Sequence, residues 1–306
     1  MEPLSPGVVC FGEVLWDILP SGALPGGAPM NVTYHLKKLG VEPALITRIG
    51  TDHYGEKLLN MLSDNGVLTE YFEVDYNHPT GLVYANVNNN HEVIYDIVYP
   101  SAWDFIEWDD EFKSLLDNAE FFVYGSLTSR NKQSRDTLYQ LLENARIKLL
   151  DINLRPPHFN RSHVDYLLQK ADILKMNLAE LELITGWFSQ FNSIEDRVKL
   201  MQEHFNIETL IVTMGGGGAL VSDKGKIHRH SGFAVDVQDT IGSGDSFLAG
   251  FISQSLKGSS VENALAFASG IGAFIATQKG ACPQYEISQI TELINYGPQQ
   301  KLQINL

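Results

Sequence analysis

Short apolar segments alternate with amphipathic ones along most of the chain. Six of the apolar segments read as strands: Val8–Gly12, Ala44–Ile49, Phe121–Tyr124, Lys148–Ile152, Asp172–Met176 and Thr209–Thr213. Between them, stretches such as Tyr54–Leu62 and Asn131–Ala145 repeat apolar residues at the spacing of a helix face. This alternation predicts a three-layer α/β/α fold, in which helices cover both faces of a central, mostly parallel sheet. Ligands of such folds bind beyond the carboxyl ends of the strands.

The length, net charge and cysteine content of the chain limit the number of domains, the kinds of partner and the cellular compartment that we expect. The 306 residues, 44% of them hydrophobic, can bury a large core within one domain spanning 1–306. A net charge of −15 argues against a nucleic-acid partner, because no basic surface would neutralise phosphates. Two cysteines, Cys10 and Cys282, favour a reducing compartment and free core thiols. Met1–Pro6 carries no export signal and Ala264–Ala276 is too short to span a bilayer, so we expect a cytoplasmic protein without a membrane partner.

A glycine-rich turn late in the chain has the features of an anion site. The segment Asp239–Asp245 runs directly into the apolar, helix-like segment Ser246–Ile252. Gly242 and Gly244 allow a tight turn, and the first amides of a following helix are free donors at its positive end. Asp245 lies within this turn, where a carboxylate suits proton removal from a hydroxyl. The alternative is a loop whose Asp only caps the helix.

The motif Asp-Thr-x-Gly-x-Gly-Asp-x-Phe resembles the C-terminal signature of the ribokinase-like (pfkB) family of sugar kinases. The resemblance implies a ribokinase-like fold and ATP-dependent phosphorylation of a sugar hydroxyl. It implies that Asp245 is the catalytic base. The amides of Gly242, Ser243 and Gly244 would then steady the transferring phosphoryl group. It also places Asp239 near a structural monovalent cation, usually K⁺.

The segment Pro25–Val32 resembles the family's N-terminal Gly-Gly sugar motif, in its bacterial fructokinase version. Gly26 and Gly27 let the backbone approach a hydroxylated ligand closely. The Asn31 amide can both donate and accept hydrogen bonds, as a sugar hydroxyl requires. The resemblance implies that these three residues bind the sugar.

Asp17 closes the segment Phe11–Asp17, which follows a strand-like run. Taken alone, it could be a solvated loop acid. The resemblance implies instead that Asp17 binds two sugar hydroxyls and that the Gly-Gly motif that follows it contributes to the same sugar site.

The segment Leu149–Arg155 resembles the family's Asp-x-Asn-x-Arg motif. In an extended chain, alternation would put Asp151, Asn153 and Arg155 on one side. Arg155 can fork two hydrogen bonds onto phosphate oxygens, which suits a catalytic role in phosphoryl transfer. The resemblance places Asn153 among the substrate-binding residues.

Two further segments resemble the family's metal motifs. Asn177–Glu180 matches an Asn-x-x-Glu motif that helps to hold Mg²⁺ through water, with Glu180 and Asn177 as the contacting residues. A helix-capping arrangement is the alternative. Gly280–Pro283 resembles the turn whose carbonyls complete the monovalent-cation site, with Gly280 as the matching residue.

The region expected to bind the nucleotide has several glycines after a buried strand. Thr209–Thr213 reads as the strand and Met214–Gly218 as the following loop, whose four glycines let main chain lie against a polyphosphate. The alternative is a flexible turn. The resemblance implies these ATP-binding residues: Asn177, Thr213, Gly215, Gly217 and Ser269. Ser269 stands where many relatives carry Asn.

A hairpin interrupts the alternation. Thr80–Val87 and His91–Val98 read as strands joined by Asn88–Asn90, residues that tolerate positive φ. The resemblance implies a small β lid over the sugar, formed mainly by about 80–100 and a segment near 12–25, and a homodimer formed through it. Alternatively, the apolar hairpin residues pack on the main domain.

The choice of sugar rests on two comparisons within the family. The Gly-Gly motif favours D-fructose, phosphorylated to a fructose phosphate, with fructose 6-phosphate expected. The rival is 2-keto-3-deoxygluconate, whose carboxylate asks for a cation on the lid, whereas Ile94–Tyr99 carries Asp96 and no Arg. Other sugar or nucleoside kinases of the family stay open. A non-catalytic sugar or nucleotide sensor is the alternative of a different class.

Overall fold

The computed structural model describes residues 6–20, 22–87 and 93–297. In these residues the strands are, in chain order, β1 (Val8–Phe11), β2 (Leu15–Leu19), β3 (Gly22–Gly26), β4 (Pro43–Gly50), β5 (Phe72–Asp75), β6 (Gly81–Val87), β7 (Val93–Ile97), β8 (Phe121–Gly125), β9 (Ile147–Asp151), β10 (Ile173–Asn177), β11 (Thr209–Thr213), β12 (Ala219–Asp223) and β13 (Lys226–His230). The α-helices are α1 (Ala28–Lys38), α2 (His53–Asp64), α3 (Glu111–Asn118), α4 (Lys132–Asn144), α5 (Arg161–Lys170), α6 (Leu178–Gly186), α7 (Ile194–Phe205), α8 (Ser243–Leu256), α9 (Val261–Ala276) and α10 (Ile287–Tyr296).

Nine strands form the central sheet, in the order β13-β12-β11-β10-β9-β8-β1-β4-β5. Its pairings are parallel except for β11–β12 and β12–β13, which are antiparallel. All six predicted strands lie in this sheet, so the predicted fold class is confirmed. The sequence did not reveal the edge strands β5 and β13, because edge strands are short and partly exposed. β13, for example, reads Lys-Ile-His-Arg-His.

Alternation along the strands divides the core into two layers. In β1, Val9 and Phe11 pack with the cluster that includes α3 to α7, whereas Val8 and Cys10 pack with α1, α2, α8, α9 and α10. Successive strand side chains point to opposite faces, so each face of the sheet buries its own set of helices. The result is the predicted α/β/α sandwich. Within the described residues no helix is both long and apolar enough to cross a bilayer.

A second, smaller sheet has the order β3-β2-β6-β7. Parallel pairing of β2 with β6 joins the N-terminal segment to the hairpin strands, with Leu15 opposite Gly81. The Asn88–Asn90 turn of the predicted hairpin lies outside the described residues. The two sheets meet close to the carboxyl ends of the central strands, because β2 and β3 lie between β1 and α1 in the chain.

Candidate active site

The glycine-rich turn ends where α8 begins. Gly242 is the N-cap, with φ 77°, and the first hydrogen bond back along the helix runs from the Ser246 amide to its carbonyl at 2.8 Å. The Gly244 and Asp245 amides precede that bond, so they are first-turn donors at the positive end of the helix. The Ser243 amide instead turns back to the Thr240 carbonyl at 3.3 Å.

Asp245 meets the predicted sugar motif directly. Asn31 Nδ2 donates to Asp245 Oδ2 at 2.7 Å, which joins α1 to α8 across 214 residues of sequence. Cys282 Sγ donates to Asn31 Oδ1 at 3.4 Å. Asn31 was expected to bind the sugar, and the structure places its amide against the predicted base. Cys282 was expected in the core, but it is partly exposed beside this contact.

The two glycines of the sugar motif are required by close contacts. A Cβ on Gly26 would lie 2.5 Å from Asp17 Oδ2. A Cβ on Gly27, whose φ is 114°, would lie 2.4 Å from the Glu13 carbonyl oxygen. At Gly27 the contact is with backbone and φ is positive, so only glycine fits there, whereas a side chain at Gly26 would push the Asp17 carboxylate out of its position. The structure therefore brings Asp17 and the Gly-Gly motif together.

Asp17 lies in the electrostatic field of the same site. Burial raises the pKa of Asp17 to about 6, the charge of Arg155 opposes the rise, and the charges of Asp239 and Asp245 add to it. These three charged residues come from separate segments of the chain, and each lies near enough for its charge to act on Asp17.

Glu13 belongs to the site and was not predicted. Its side chain is buried, and Thr128 Oγ1 donates to Glu13 Oε2 at 2.8 Å. Burial raises the pKa of Glu13, while hydrogen bonds from its own amide, Thr128 and the Ala28 amide oppose the rise. This carboxyl therefore fixes the loop in front of α1. Its signal in the sequence is an acid two residues after the buried strand β1.

The Asp-x-Asn-x-Arg segment does not continue as a strand, so the expected alternation is wrong beyond Asp151. β9 ends at Asp151, and Asn153 has φ 40°, in the left-handed region that asparagine tolerates. Arg155 is exposed, with its Nη1 donating to the Leu154 carbonyl at 3.2 Å. Burial raises the pKa of both Asp245 and Asp17, and the charge of Arg155 opposes that rise, so Arg155 lies near both carboxyls.

Asn177 and Glu180 form a capping box at the start of α6. Asn177 Oδ1 accepts from the Glu180 amide at 2.9 Å, and Glu180 Oε2 accepts from the Asn177 amide at 2.8 Å. Glu180 Oε1 accepts from the Leu154 amide at 2.8 Å. Each carboxylate oxygen keeps a second lone pair. The arrangement thus fits Mg²⁺ held through water better than direct ligation.

A cavity of about 250 Å³ lies between the glycine loop after β11 and helices α8 and α9. Its lining includes Thr213, Gly215 and Ser269 of the predicted ATP-binding residues. Gly217 is not among the lining residues, and Asn177 lies beside Thr213 in the β10–β11 pairing rather than in the wall. The apolar walls also include Phe247 and Ala273, and four residues that the sequence did not mark: Phe233, Val235, Val237 and Ala276. An apolar slot that opens onto glycine amides suits a purine base with its phosphates.

The predicted monovalent-cation residues also come together. The Gly280 amide donates to Asp239 Oδ2 at 3.1 Å, and the Ile241 amide donates to Asp239 Oδ1 at 3.0 Å. Buried His35, which was not predicted, contacts the Ala281 carbonyl through Nε2 at 2.8 Å. That carbonyl is therefore already engaged. Among the described residues, no group of three or more His, Cys, Asp or Glu side chains could hold a metal ion.

The sequence of the chain matches a family model along most of its length. The model described as pfkB family carbohydrate kinase matches residues 22–287. Probable fructokinase-5 of Arabidopsis thaliana is 31% identical over 91% of this chain and 94% of its own length. Fructokinase-2 of Solanum lycopersicum is 29% identical over 90% of this chain and 92% of its own length.

Solved structures share the fold. A fructokinase from Vibrio cholerae O395, in a form with bound fructose, ADP and calcium ion, has a TM-score of 0.81 and 25% identity, over 95% of this chain and 99% of that one. A fructokinase from Xylella fastidiosa with bound ATP has a TM-score of 0.85 and 22% identity, over 95% and 99%. Family model, relatives and fold agree with the sequence motifs, and we conclude that this chain belongs to the pfkB family of carbohydrate kinases.

Proposed function

We propose that the chain transfers the γ-phosphoryl group of ATP to a hydroxyl of D-fructose, with fructose 6-phosphate as the expected product. The observation that carries the proposal is the 2.7 Å contact between Asn31 and Asp245. Asp245 belongs to the first-turn amides of α8, Gly242–Asp245, called here the amide cradle. The contact joins it to Asn31 of α1, the helix that follows Gly26–Gly27, where a sugar hydroxyl would lie. A carboxylate between an anion cradle and a hydroxyl site is what direct in-line transfer requires.

Asp245 is proposed as the base that takes the proton of the attacking hydroxyl. Burial raises its pKa, the charge of Asp151 adds to the rise, and Lys175, Asn31 and Arg155 oppose it. A carboxylate with a raised pKa accepts a proton more readily than a solvated one. The hydroxyl proton therefore moves to Asp245 while the sugar oxygen bonds to phosphorus and ADP leaves.

The moving phosphoryl group is proposed to meet the cradle at the start of α8. The Gly244 and Asp245 amides are free donors in the first turn of α8, and the motif residues Gly242 and Ser243 shape the turn that precedes them. Losing one such donor typically costs ~3 kcal/mol of barrier. Arg155 is proposed to fork onto the phosphate oxygens, because its side chain is exposed and its charge acts on both Asp245 and Asp17.

Metal ions are proposed at the two places tested above. Glu180 and Asn177 would hold Mg²⁺ through water, where it offsets phosphate charge. Asp239 and the turn at Gly280 would hold K⁺, which supports the loop that carries the amide cradle. Thr213, Gly215 and Ser269 would line the ATP site.

The small sheet is proposed as a lid over the sugar within a single domain of residues 1–306. Its strand β2 carries Asp17, so closure of this sheet would seal the hydroxyl site against water. Tyr84 on β6 is exposed, which is consistent with a homodimer formed through the lid.

Fructose is favoured over an acidic sugar by the charges of the lid. Asp96, near the end of β7, is exposed, and a sugar carboxylate facing it would be repelled. The curated relatives named above as fructokinases point the same way. 2-Keto-3-deoxygluconate and nucleosides stay as rival substrates, and a sensor without turnover is the rival function.

The test is ADP release with ATP and Mg²⁺ across fructose, ribose, 2-keto-3-deoxygluconate, adenosine and fructose 6-phosphate. We expect kcat/KM for fructose to exceed that for each other compound by at least about tenfold. Faster turnover of another sugar would overturn the substrate and keep the kinase chemistry. Binding of sugar without ADP release would favour the sensor.

Sugar binding should weaken in acid because of Asp17. Burial raises the pKa of Asp17 to about 6, so protonation below that pH removes acceptors for sugar hydroxyls. We expect the Kd for fructose to rise as pH falls from 7.5 to 5, by about tenfold per unit below the pKa. Calorimetric titration across this range is the measurement. The variant Asp17→Asn should bind weakly with no such dependence, and an identical slope in that variant would exclude Asp17 as the cause.

A further inference from the structure

Lys175 is a buried lysine within the central sheet, and the proposed mechanism gives it no role. It lies on β10, with 8% of its side chain exposed. Lysine is almost never buried unless it is paired. Its partner is Asp151 at the end of β9, the residue opposite it in the strand pairing, and Lys175 Nζ lies 2.6 Å from Asp151 Oδ2.

The ammonium group lies directly behind the amide cradle. A Cβ built on Gly244 would be 3.4 Å from Lys175 Nζ, so little separates the lysine from the first turn of α8. Lys175 forms a buried ion pair with Asp151, and Asp245 and Glu180 also lie near enough for their charges to act on the ammonium group.

Asp151 and Lys175 shift the pKa of Asp245 in opposite directions. After burial, the Asp151 charge is the largest influence that raises the Asp245 pKa, and the Lys175 charge is the largest that lowers it. The other charged or titratable groups that act with Asp245 are Arg155, Asp17 and Cys282. Burial raises the pKa of the Cys282 thiol so far that the thiol stays neutral.

We propose that Lys175 is a positioning residue for phosphoryl transfer, whose buried ammonium offsets the charge of Asp151 and so holds the base Asp245 as a carboxylate. This inference rests on the proposed role of Asp245. It assigns the Asp151–Lys175 pair to setting the charge of the base, beyond joining two strands.

The test compares the two variants that remove one member each. In Lys175→Met, the Asp151 charge near Asp245 has no counterion, so the pKa of Asp245 rises. The acidic limb, the low-pH side of the plot of kcat against pH, then moves to higher pH. In Asp151→Asn, which keeps the shape, the ammonium is unopposed and the limb moves to lower pH. A charge close to a carboxyl shifts its pKa by about 1–3 units, so we expect opposite displacements of about one pH unit or more. The kcat profile is used because it reports the enzyme–substrate complex.

Lys148→Met is the matched control. Lys148 on β9 pairs at 3.0 Å with Asp172, the residue just before β10, at the opposite end of the same two strands. Its loss should leave the acidic limb in place. Lys175→Arg keeps the charge, and its limb should stay close to that of the wild type.

A purely structural pair would give a different result. Removing either partner would lower Tm in Lys175→Met and Asp151→Asn alike, with both limbs unmoved, and that result would overturn the proposal. If Lys175→Met does not fold, the direction of the Asp151→Asn limb decides alone. If the wild type turns over no sugar, the proposed function fails. In that case the pKa of Asp245 is measured without turnover, from the ¹³C chemical shift of its carboxyl group as pH is varied. The signal is assigned by its absence in Asp245→Asn, and we expect the pKa to rise in Lys175→Met and to fall in Asp151→Asn.

Discussion

Asp245→Asn is expected to abolish turnover while leaving the fold and sugar binding intact. Asn keeps the size of the side chain and can still accept from Asn31, so the contact between α1 and α8 survives. It cannot take the hydroxyl proton. Loss of a general base costs about 10²–10⁴ in rate, and burial of this site leaves little room for water to substitute. We therefore expect kcat to fall by at least about a thousandfold.

The measurement is the steady-state rate of ADP release together with a calorimetric Kd for fructose. Asp136→Asn is the control, because Asp136 lies on α4 and only pairs with Lys132 in an exposed ion pair. That control should keep wild-type kcat. A variant Asp245→Asn that retains a tenth of the wild-type rate would show that another group is the base.

Gly242→Ala is expected to damage both stability and catalysis. Gly242 has φ 77°, and a Cβ there would lie 2.6 Å from the Ala281 Cα, which belongs to the backbone of the neighbouring turn. Backbone cannot move aside as a flexible side chain can, so the turn before α8 must distort. Strain at such a residue costs about 1–3 kcal/mol, and displaced amides lose their aim at the phosphoryl group. We expect kcat to fall by about a hundredfold or more.

Gly244→Ala is the matched comparison for stability. Its φ is not in the left-handed region, and its Cβ would meet only Lys175 Nζ at 3.4 Å, close to an ordinary contact. Thermal unfolding should therefore show a Tm several degrees lower for Gly242→Ala than for Gly244→Ala. Equal Tm values would mean that the turn tolerates a side chain at Gly242 and that its conformation is not what aims the amides.

The sequence by itself determined the features that depend on neighbouring residues. The six central strands follow from short apolar runs, and the start of α8 follows from glycines placed before an apolar helix pattern. Gly26, Gly27 and Gly242 also meet the constraints that their local motifs implied. Such signals are local, because side-chain periodicity and backbone freedom act over a few residues.

One local expectation was wrong for a local reason. Alternation along Asp151, Asn153 and Arg155 assumes an extended chain, but the strand ends at the first of them and Asn153 takes a positive φ. Asparagine adopts that conformation more readily than most residues, and the pattern of apolar positions does not record where a strand ends.

Only the tertiary structure decided which side chains meet. The contacts Asn31–Asp245, Thr128–Glu13 and Lys175–Asp151 join residues 214, 115 and 24 positions apart. Each depends on strand order and register, which bring remote segments to one edge of the sheet. A one-residue shift in register would turn Lys175 to the other face of the sheet and away from Asp245. The charge balance around the base is therefore a property of the packed sheet, and no stretch of sequence contains it.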